Sequence, residues 1–448
     1  MKKRVMIVGS GFRGFCDALH LMKNPDLEIH IVDSAPFFGG VMHSLDINGF
    51  SVDKGVHIFD SIPVSLAETV TEIMDGKVHE IDFVSASAFN NKVTEGFSLP
   101  DLNSLDDTAI KKQIREELLA LARNPATDAP ATLEALFDQR YGKTAGRIFC
   151  DIFRKVYGIS ADEVEPTAIA QTSMGRLKFL DDPDMLDLKK DPFLDTVLAA
   201  RRKAVGKVDD FVSIYPSDGD AMRGWCKRAV TWLESKGVRI SLGTKISKIT
   251  ERADTVEVET DKGTFEVETL IWSNDSLRAL GSALNIERDV DGLQYGTPML
   301  FATLFTQADK VRDFTYLQNF DPDQLTYRSA ASGRFSHQVR EDGVSFVTCE
   351  CPADVNGTYW NDTDKLAADV WDEIRSLGVV EKDAELAGFD VKRIPVSFKL
   401  ARLGYAAAFR DFHTDVASRH KRVILRDVVP FFRRDIYLDS AHLTNLVA

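Results

Sequence analysis

Three glycines spaced as Gly9, Gly11 and Gly14 in Gly-Ser-Gly-Phe-Arg-Gly, followed about twenty residues on by Asp33, are the parts of a dinucleotide site. The first glycine allows a tight strand-to-helix turn, the second lets backbone approach a pyrophosphate, and the third lets helix pack close to strand. The helix N-terminus then faces the phosphates. Asp33, with no arginine beside it, suits a ribose hydroxyl and would receive a 2′-phosphate poorly. A second pair, Gly39-Gly40, follows Asp33 after five residues, and the run from Gly49 to Phe59, ending Gly55-Val56-His57-Ile58-Phe59, reads as a strand entering another glycine turn. A histidine in that turn could modulate the charge on a ligand or exchange protons near neutral pH. It could equally be satisfied in a core, the commoner fate beside apolar neighbours.

These residues need particular elements to hold them. Strands over 5–8 and 29–32 with a helix between them make a βαβ unit. A helix over 64–75, an extended stretch over 77–86, a charged helix near 108–124 and a helix-rich stretch over 130–158 follow. The tract from Asp181 to Pro192 is dense in charge and proline and reads as a loop, either a mobile cover or a solvated connection. After Tyr215-Pro216-Ser217-Asp218-Gly219, Met222, Trp225, Ala229, Trp232 and Leu233 recur at core-facing helical spacing, and Gly237 is placed to end that helix. Strands around 238–250, a hairpin turning at Asp261-Lys262-Gly263 and an apolar strand over 269–272 come next. Strands near 299–306 and 344–348 and a helix near 363–376 occupy the remainder.

Composition bounds the function. The chain has 448 residues, 44% of them apolar and 28% charged, ordinary globular values, and no internal repeats. A net charge of −14 disfavours nucleic acid and anionic membrane surfaces as nonspecific partners, so an anionic substrate would need local basic residues. No apolar run approaches the ~20 residues of a membrane-spanning helix, and a cleaved leader would remove the glycine site, so a cytoplasmic protein is expected. Five scattered cysteines fit reduced thiols better than a disulfide framework. Cys349-Glu350-Cys351 has the wrong spacing for the usual zinc motifs, and in a strand both thiols would share one face, so no metal site is expected.

Asp33, five residues and Gly39-Gly40 together resemble flavoproteins of the amine oxidase and protoporphyrinogen oxidase superfamily, and Gly55 to Phe59 is most similar to the UDP-galactopyranose mutase branch. The resemblance implies FAD as cofactor, with Gly55 and His57 against the flavin. It implies an α/β fold in which a Rossmann-like FAD-binding domain is interleaved with a helical region and a sheet-based substrate domain. The expected segments are FAD-binding at 1–86, helical with a mobile loop at 87–210, FAD-binding again at 211–290, substrate-facing sheet at 291–410 and FAD-binding at 411–448.

In that branch aromatics on a helix, then a lysine and a Trp-Gly pair, lie close to the sugar. Phe149, Phe153 and Lys155-Val156-Tyr157-Gly158 are similar, with tyrosine in place of tryptophan. The same rings at helical spacing also fit a packed core. Arg328 matches by local context an arginine that approaches substrate diphosphate and flavin, with Asn319 upstream. A guanidinium binds phosphate bidentately and stays charged. Arg176, Arg201 and Arg202 are further basic candidates. The C-terminus departs from the family: the expected Gly-Arg pair reads Leu425-Arg426, Pro430 removes a backbone donor, and Asp439 in Leu-Asp-Ser-Ala is placed to cap a flavin-supporting helix.

The resemblance therefore implies a flavin reduced by NADPH or NADH that assists ring contraction of a nucleotide-activated sugar without net redox change. A net amine oxidase, desaturase or dehydrogenase with the same cofactor is the alternative reading. A degenerate flavoprotein fold without catalysis is the third, motivated by the altered C-terminus.

Overall fold

The computed structural model describes residues 2–201, 210–426 and 432–447. The chain divides into two compact units, one from Met1–Ile81, Val208–Leu293 and Tyr405–Ala448, the other from Asp82–Lys207 and Gln294–Gly404. Most of segments 87–210 and 291–410, read from sequence as separate regions, thus contributes to one body, while 208–210, 291–293 and 405–410 fall in the first unit.

The first unit is built on a five-stranded parallel sheet in the order Arg239–Ser241, Leu27–Val32, Lys3–Val8, Thr269–Trp272, Val423–Leu425. Lys3–Val8 lies at its centre, and Val5, Met6 and Ile7 are completely buried, as a parallel strand covered on both faces requires. The helix Phe12–Leu21 follows directly and buries Phe12, Phe15, Ala18 and Leu21; Phe15 meets Trp225 edge-on at 5.1 Å between ring centroids. Trp225 belongs to the helix Ala221–Ser235, and Gly237 follows it at φ 88°, as its spacing predicts. The hairpin of Val256–Thr260 and Gly263–Val267 pairs Thr260 with Gly263.

The second unit carries a seven-stranded mixed sheet in the order Gly388–Ala401, Gln294–Gln307, Val344–Pro352, Arg328–Ala330, Tyr316–Asn319, Ser85–Phe89, Lys92–Glu95. One face is apolar: Leu300, Leu304, Leu317, Val347, Cys349 and Cys351 share a core with Leu366, Val370 and Ile374 of the helix Thr363–Ser376. Both thiols lie in that core, where burial pushes Cys349 up to about 12. A second core forms around Leu133–Tyr157. That helix breaks at Gly142, φ 80°, where the Glu117 carboxylate accepts the Thr144 N–H at 2.8 Å and its hydroxyl at 2.7 Å, restarting the helix as an N-cap would.

The tract from 181 to 192 corrects the loop expectation. It folds as two short helices, Asp182–Leu188 and Pro192–Val197, that bury Met185, Leu188, Leu194 and Val197. The prolines stand at helix starts, where no N–H is needed, and Asp191 accepts the Phe193 and Leu194 N–H groups. Among the described residues no helix is long and apolar enough to cross a membrane.

Candidate functional site

In the first unit the glycine motifs converge on one backbone cradle. Gly9 follows the central strand with its N–H bonded to Val32 O, and Gly11 is the N-cap of the helix Phe12–Leu21. The Gly39 N–H bonds to Ser10 O at 2.9 Å, and Gly11 and Gly39 form an isolated parallel bridge, so the Gly39-Gly40 turn is tied to the first glycine loop. Gly39 sits at φ 103°, where a side chain would also strike Cys226 Sγ. A Cβ at Gly14 would come 1.9 Å from Gly9 O, which shows how closely helix and loop pack. Gly11 differs: its backbone is ordinary and a Cβ there meets nothing within 4 Å. Packing does not demand that glycine, whereas a phosphate resting on the helix N-terminus would. No acidic side chain occupies the first helical turn.

Asp33 ends its strand as expected, but its carboxylate is largely engaged. Oδ2 accepts the Ser10 N–H at 2.6 Å and the Ser10 hydroxyl at 2.8 Å, and Oδ1 accepts the Ala35 N–H at 2.8 Å. A carboxylate has about four acceptor positions, so room for one ribose hydroxyl remains. The cradle therefore fits the adenosine diphosphate part of a dinucleotide.

Behind the turn at Gly55, φ 111°, sits Asp53, which the sequence reading did not single out. It is 3% exposed; Oδ1 accepts Ser44 Oγ–H at 2.5 Å and Oδ2 accepts the Tyr215 hydroxyl at 2.6 Å. Burial raises its carboxyl to about 6 against the opposing pull of those two hydroxyls and the Met222 N–H. The raised value favours the neutral acid in the folded state, so this stabilisation is fully present below the unfolded value of 3.8 and is lost as pH rises through about 6. A rise of about two units corresponds to about 3 kcal/mol. The difference in unfolding free energy between Asp53→Asn and the native chain should therefore shift by about that amount in favour of the variant between pH 4 and pH 7. Parallel curves for the two proteins in denaturant titrations across that range would show that Asp53 does not carry this proton.

The C-terminal segment corrects one expectation. Asp439 caps no helix start; it lies in the last turn of the helix Arg433–Ser440, whose N-cap is Phe432. Its carboxylate instead pairs with Arg426, which also pairs with Asp17. Asp17 is fully buried on the helix Phe12–Leu21 and accepts Ser273 Oγ–H at 2.5 Å and Ser440 Oγ–H at 2.7 Å; Arg13 lies 3.8 Å from Asp439. Burial raises the Asp17 carboxyl, opposed by Arg426. Two arginines and two aspartates thus tie the helix Phe12–Leu21 to the C-terminal segment. The one sequence signal was a charged pair, Arg13 and Asp17, at i,i+4 spacing within an otherwise apolar helix. His57 is half-buried and its Nδ1 lies 3.0 Å from Arg433 Nη2. Pro430 and Arg202 lie outside the described residues.

In the second unit Arg328, Glu350 and Gln318 are directly cross-strand: Gln318 pairs with Arg328 and Arg328 with Glu350, and on the other side Gln318 pairs with Ser87. Directly opposed residues share a face, so these four make one polar row across four strands, about 14 Å at the usual strand spacing. Arg328 donates Nε–H and Nη2–H to Glu350 Oε1 at 2.7 and 2.6 Å, leaving Oε2 as an acceptor. Ser87 Oγ and Gln318 Oε1 are buried without a hydrogen-bond partner among the described residues, an arrangement that costs ~1–3 kcal/mol per group unless something supplies a bond.

The remaining expected residues serve the scaffold. Phe149 and Phe153 are completely buried among Phe137, Tyr141 and Tyr157, so their rings fill the core and offer no face to a substrate. Tyr157 is equally enclosed and donates its hydroxyl to Gln171 O. Asn319 is fully buried: its amide donates to Gln324, Thr326 and Glu373 and its Oδ1 accepts the Asp321 N–H. Lys155, lowered to about 8 by burial, donates to Asn319 O and Thr326 O at 2.8 and 2.6 Å. Asn319, Lys155 and Glu373 thus hold the turn that leads to Arg328. Arg176 and Arg201 likewise donate to backbone carbonyls, of Asp195 and Leu198 and of Glu95.

Residues 7–75 match the family of NAD(P)-binding Rossmann-like domains. No curated protein matches the chain by sequence. Among solved structures, reduced UDP-galactopyranose mutase is similar with a TM-score of 0.75 at 14% identity, over 100% of this chain and 94% of that one. A protein from Exiguobacterium sp. 255-15 described as a protoporphyrinogen oxidase gives 0.66 at 14% identity, over 99% and 98%. A putrescine oxidase double mutant gives 0.62 at 12%, over 100% and 99%.

Proposed function

Since the chain has the fold of the FAD-dependent amine oxidase-like superfamily, we propose that it is an FAD-dependent enzyme acting on a hydroxyl-rich anionic substrate of the nucleotide-activated sugar class. Gly9, Gly11, Gly14, Gly39 and Gly40 would hold the pyrophosphate against backbone, Asp33 the ribose, and the turn of Gly55 and His57 the flavin end. Bound FAD supplies the electron-transfer or nucleophilic chemistry, and the protein supplies binding, orientation and charge.

The observation that carries the substrate class is the polar row Ser87, Gln318, Arg328, Glu350. A sugar offers hydroxyl groups to the two orphaned oxygens and to Glu350 Oε2, and a diphosphate offers oxygens to the free N–H groups of Arg328. Glu350 already neutralises Arg328, so a phosphate must share that arginine. A second reading, a net amine oxidase, is favoured by Phe301, which pairs with Glu350 across the sheet: an aromatic wall beside a carboxylate suits a cationic amine.

The visible spectrum of the purified protein with added FAD, followed by anaerobic NADPH or NADH, tests the cofactor. A flavin spectrum that bleaches is expected, and no bound flavin would leave only the degenerate-fold reading. Sugar nucleotides should then perturb that spectrum, with affinity falling ten- to a hundredfold in Arg328→Met, the size of a charged hydrogen-bond loss. Bleaching by amines in air, with no response to sugar nucleotides, would instead establish the oxidase.

A further inference from the structure

The contact between Arg433 and His57 determines more than proximity. A guanidinium has five N–H donors and no acceptor, so the nitrogen facing it must offer a lone pair. Nδ1 of His57 is that nitrogen, 3.0 Å from Arg433 Nη2. The ring therefore carries its proton on Nε2. A doubly protonated ring would set N–H against N–H and one positive charge against another, and the Nδ1–H tautomer would do the first. The second nitrogen of a histidine takes its role from what the first one bonds.

We infer that Arg433 is a positioning residue that locks His57 as the neutral Nε2–H tautomer, making it a hydrogen-bond donor to the ligand at the Gly55 turn and not a general base. Both residues belong to the same compact unit, and Arg433 opens the helix Arg433–Ser440 at the segment where the family pattern is lost. The ionic cluster of Arg426, Asp17 and Asp439 fixes that helix from its other end, so the guanidinium is delivered by a braced element. What the Nε2–H donates to rests on the flavin reading: an acceptor oxygen or nitrogen of a ring would be polarised by it with no proton transferred. The tautomer itself does not depend on that reading.

The test uses full-length protein labelled with ¹⁵N in histidine, with His57 assigned by loss of its signals in His57→Gln. Long-range ¹H–¹⁵N spectra at neutral pH are expected to show an unprotonated Nδ1 and a protonated Nε2 in the native chain. Arg433→Met should release the ring to tautomer averaging, and Arg433→Lys, still donor-only, should restore the fixed form. A protonated Nδ1 in the native chain overturns the inference, as does an unchanged His57 in a folded Arg433→Met protein. If Arg433→Met fails to fold, the native spectrum and the lysine variant still decide it. Flavin loading is read separately in the visible spectrum, so a protein that binds no FAD yet shows the fixed tautomer would refute the cofactor and leave the positioning role standing.

Discussion

Gly11→Ala is expected to fold and melt like the native chain yet bind FAD at least ten- to a hundredfold more weakly. The backbone at Gly11 suits alanine, φ −68° and ψ −178°, and the added methyl meets no atom of the described residues within 4 Å. It would occupy the space above the helix N-terminus where the pyrophosphate must touch backbone, and losing even one charged hydrogen bond there costs ~1.5–3 kcal/mol. Gly14→Ala makes the contrasting case, since its methyl would lie 1.9 Å from Gly9 O and must displace helix or loop. That variant loses stability and cofactor together. Thermal denaturation of the two apoproteins, followed by FAD titration, separates the effects. Native affinity in a folded Gly11→Ala protein would mean that the open space at Gly11 is not where a dinucleotide rests.

The second large effect concerns Arg426. Arg426→Met leaves Asp17, fully buried, without its compensating charge, and breaking a buried ion pair from one side typically costs ~3–5 kcal/mol. Denaturant unfolding at pH 7 should show a loss of that size. The loss should shrink as the pH falls, because burial already raises the Asp17 carboxyl and protonation removes the uncompensated charge. Adding Asp17→Asn should recover part of it, the mark of coupled residues. A cost below about 1 kcal/mol for Arg426→Met alone would place the cluster with ordinary surface pairs.

The glycine cradle was legible because each requirement there is local. A turn, a close approach and a helix start are written within six residues, and strand, helix and acid follow in chain order. The same held for the long helices and for the hairpin at 261–263. The buried ionic cluster was not legible, because its members, Asp17, Arg426 and Asp439, are separated by up to 422 positions and only the sheet order brings them together. Asp439 was misread for a related reason: a good capping residue signals a helix start only if the chain before it is not already helical, and Arg433 had begun the helix six residues earlier. Phe149 and Phe153 carried a family-like pattern that their burial reassigns to packing, since aromatic rings at helical spacing serve a core equally well. The short helices at 182 and 192 were hidden by composition, although Asp191-Pro192 is itself a helix-start signal.

The sheet order also has a temporal consequence. The central strand Lys3–Val8 has two neighbours, Leu27–Val32, made soon after it, and Thr269–Trp272, made more than 260 residues later. The edge strand Val423–Leu425 and the Arg426 that neutralises Asp17 come later still, Arg426 standing 409 residues behind Asp17. Until those segments are made, the buried-to-be Asp17 lacks its Arg426 partner and one edge of the central strand stands unpaired, exposing backbone that can pair with other chains.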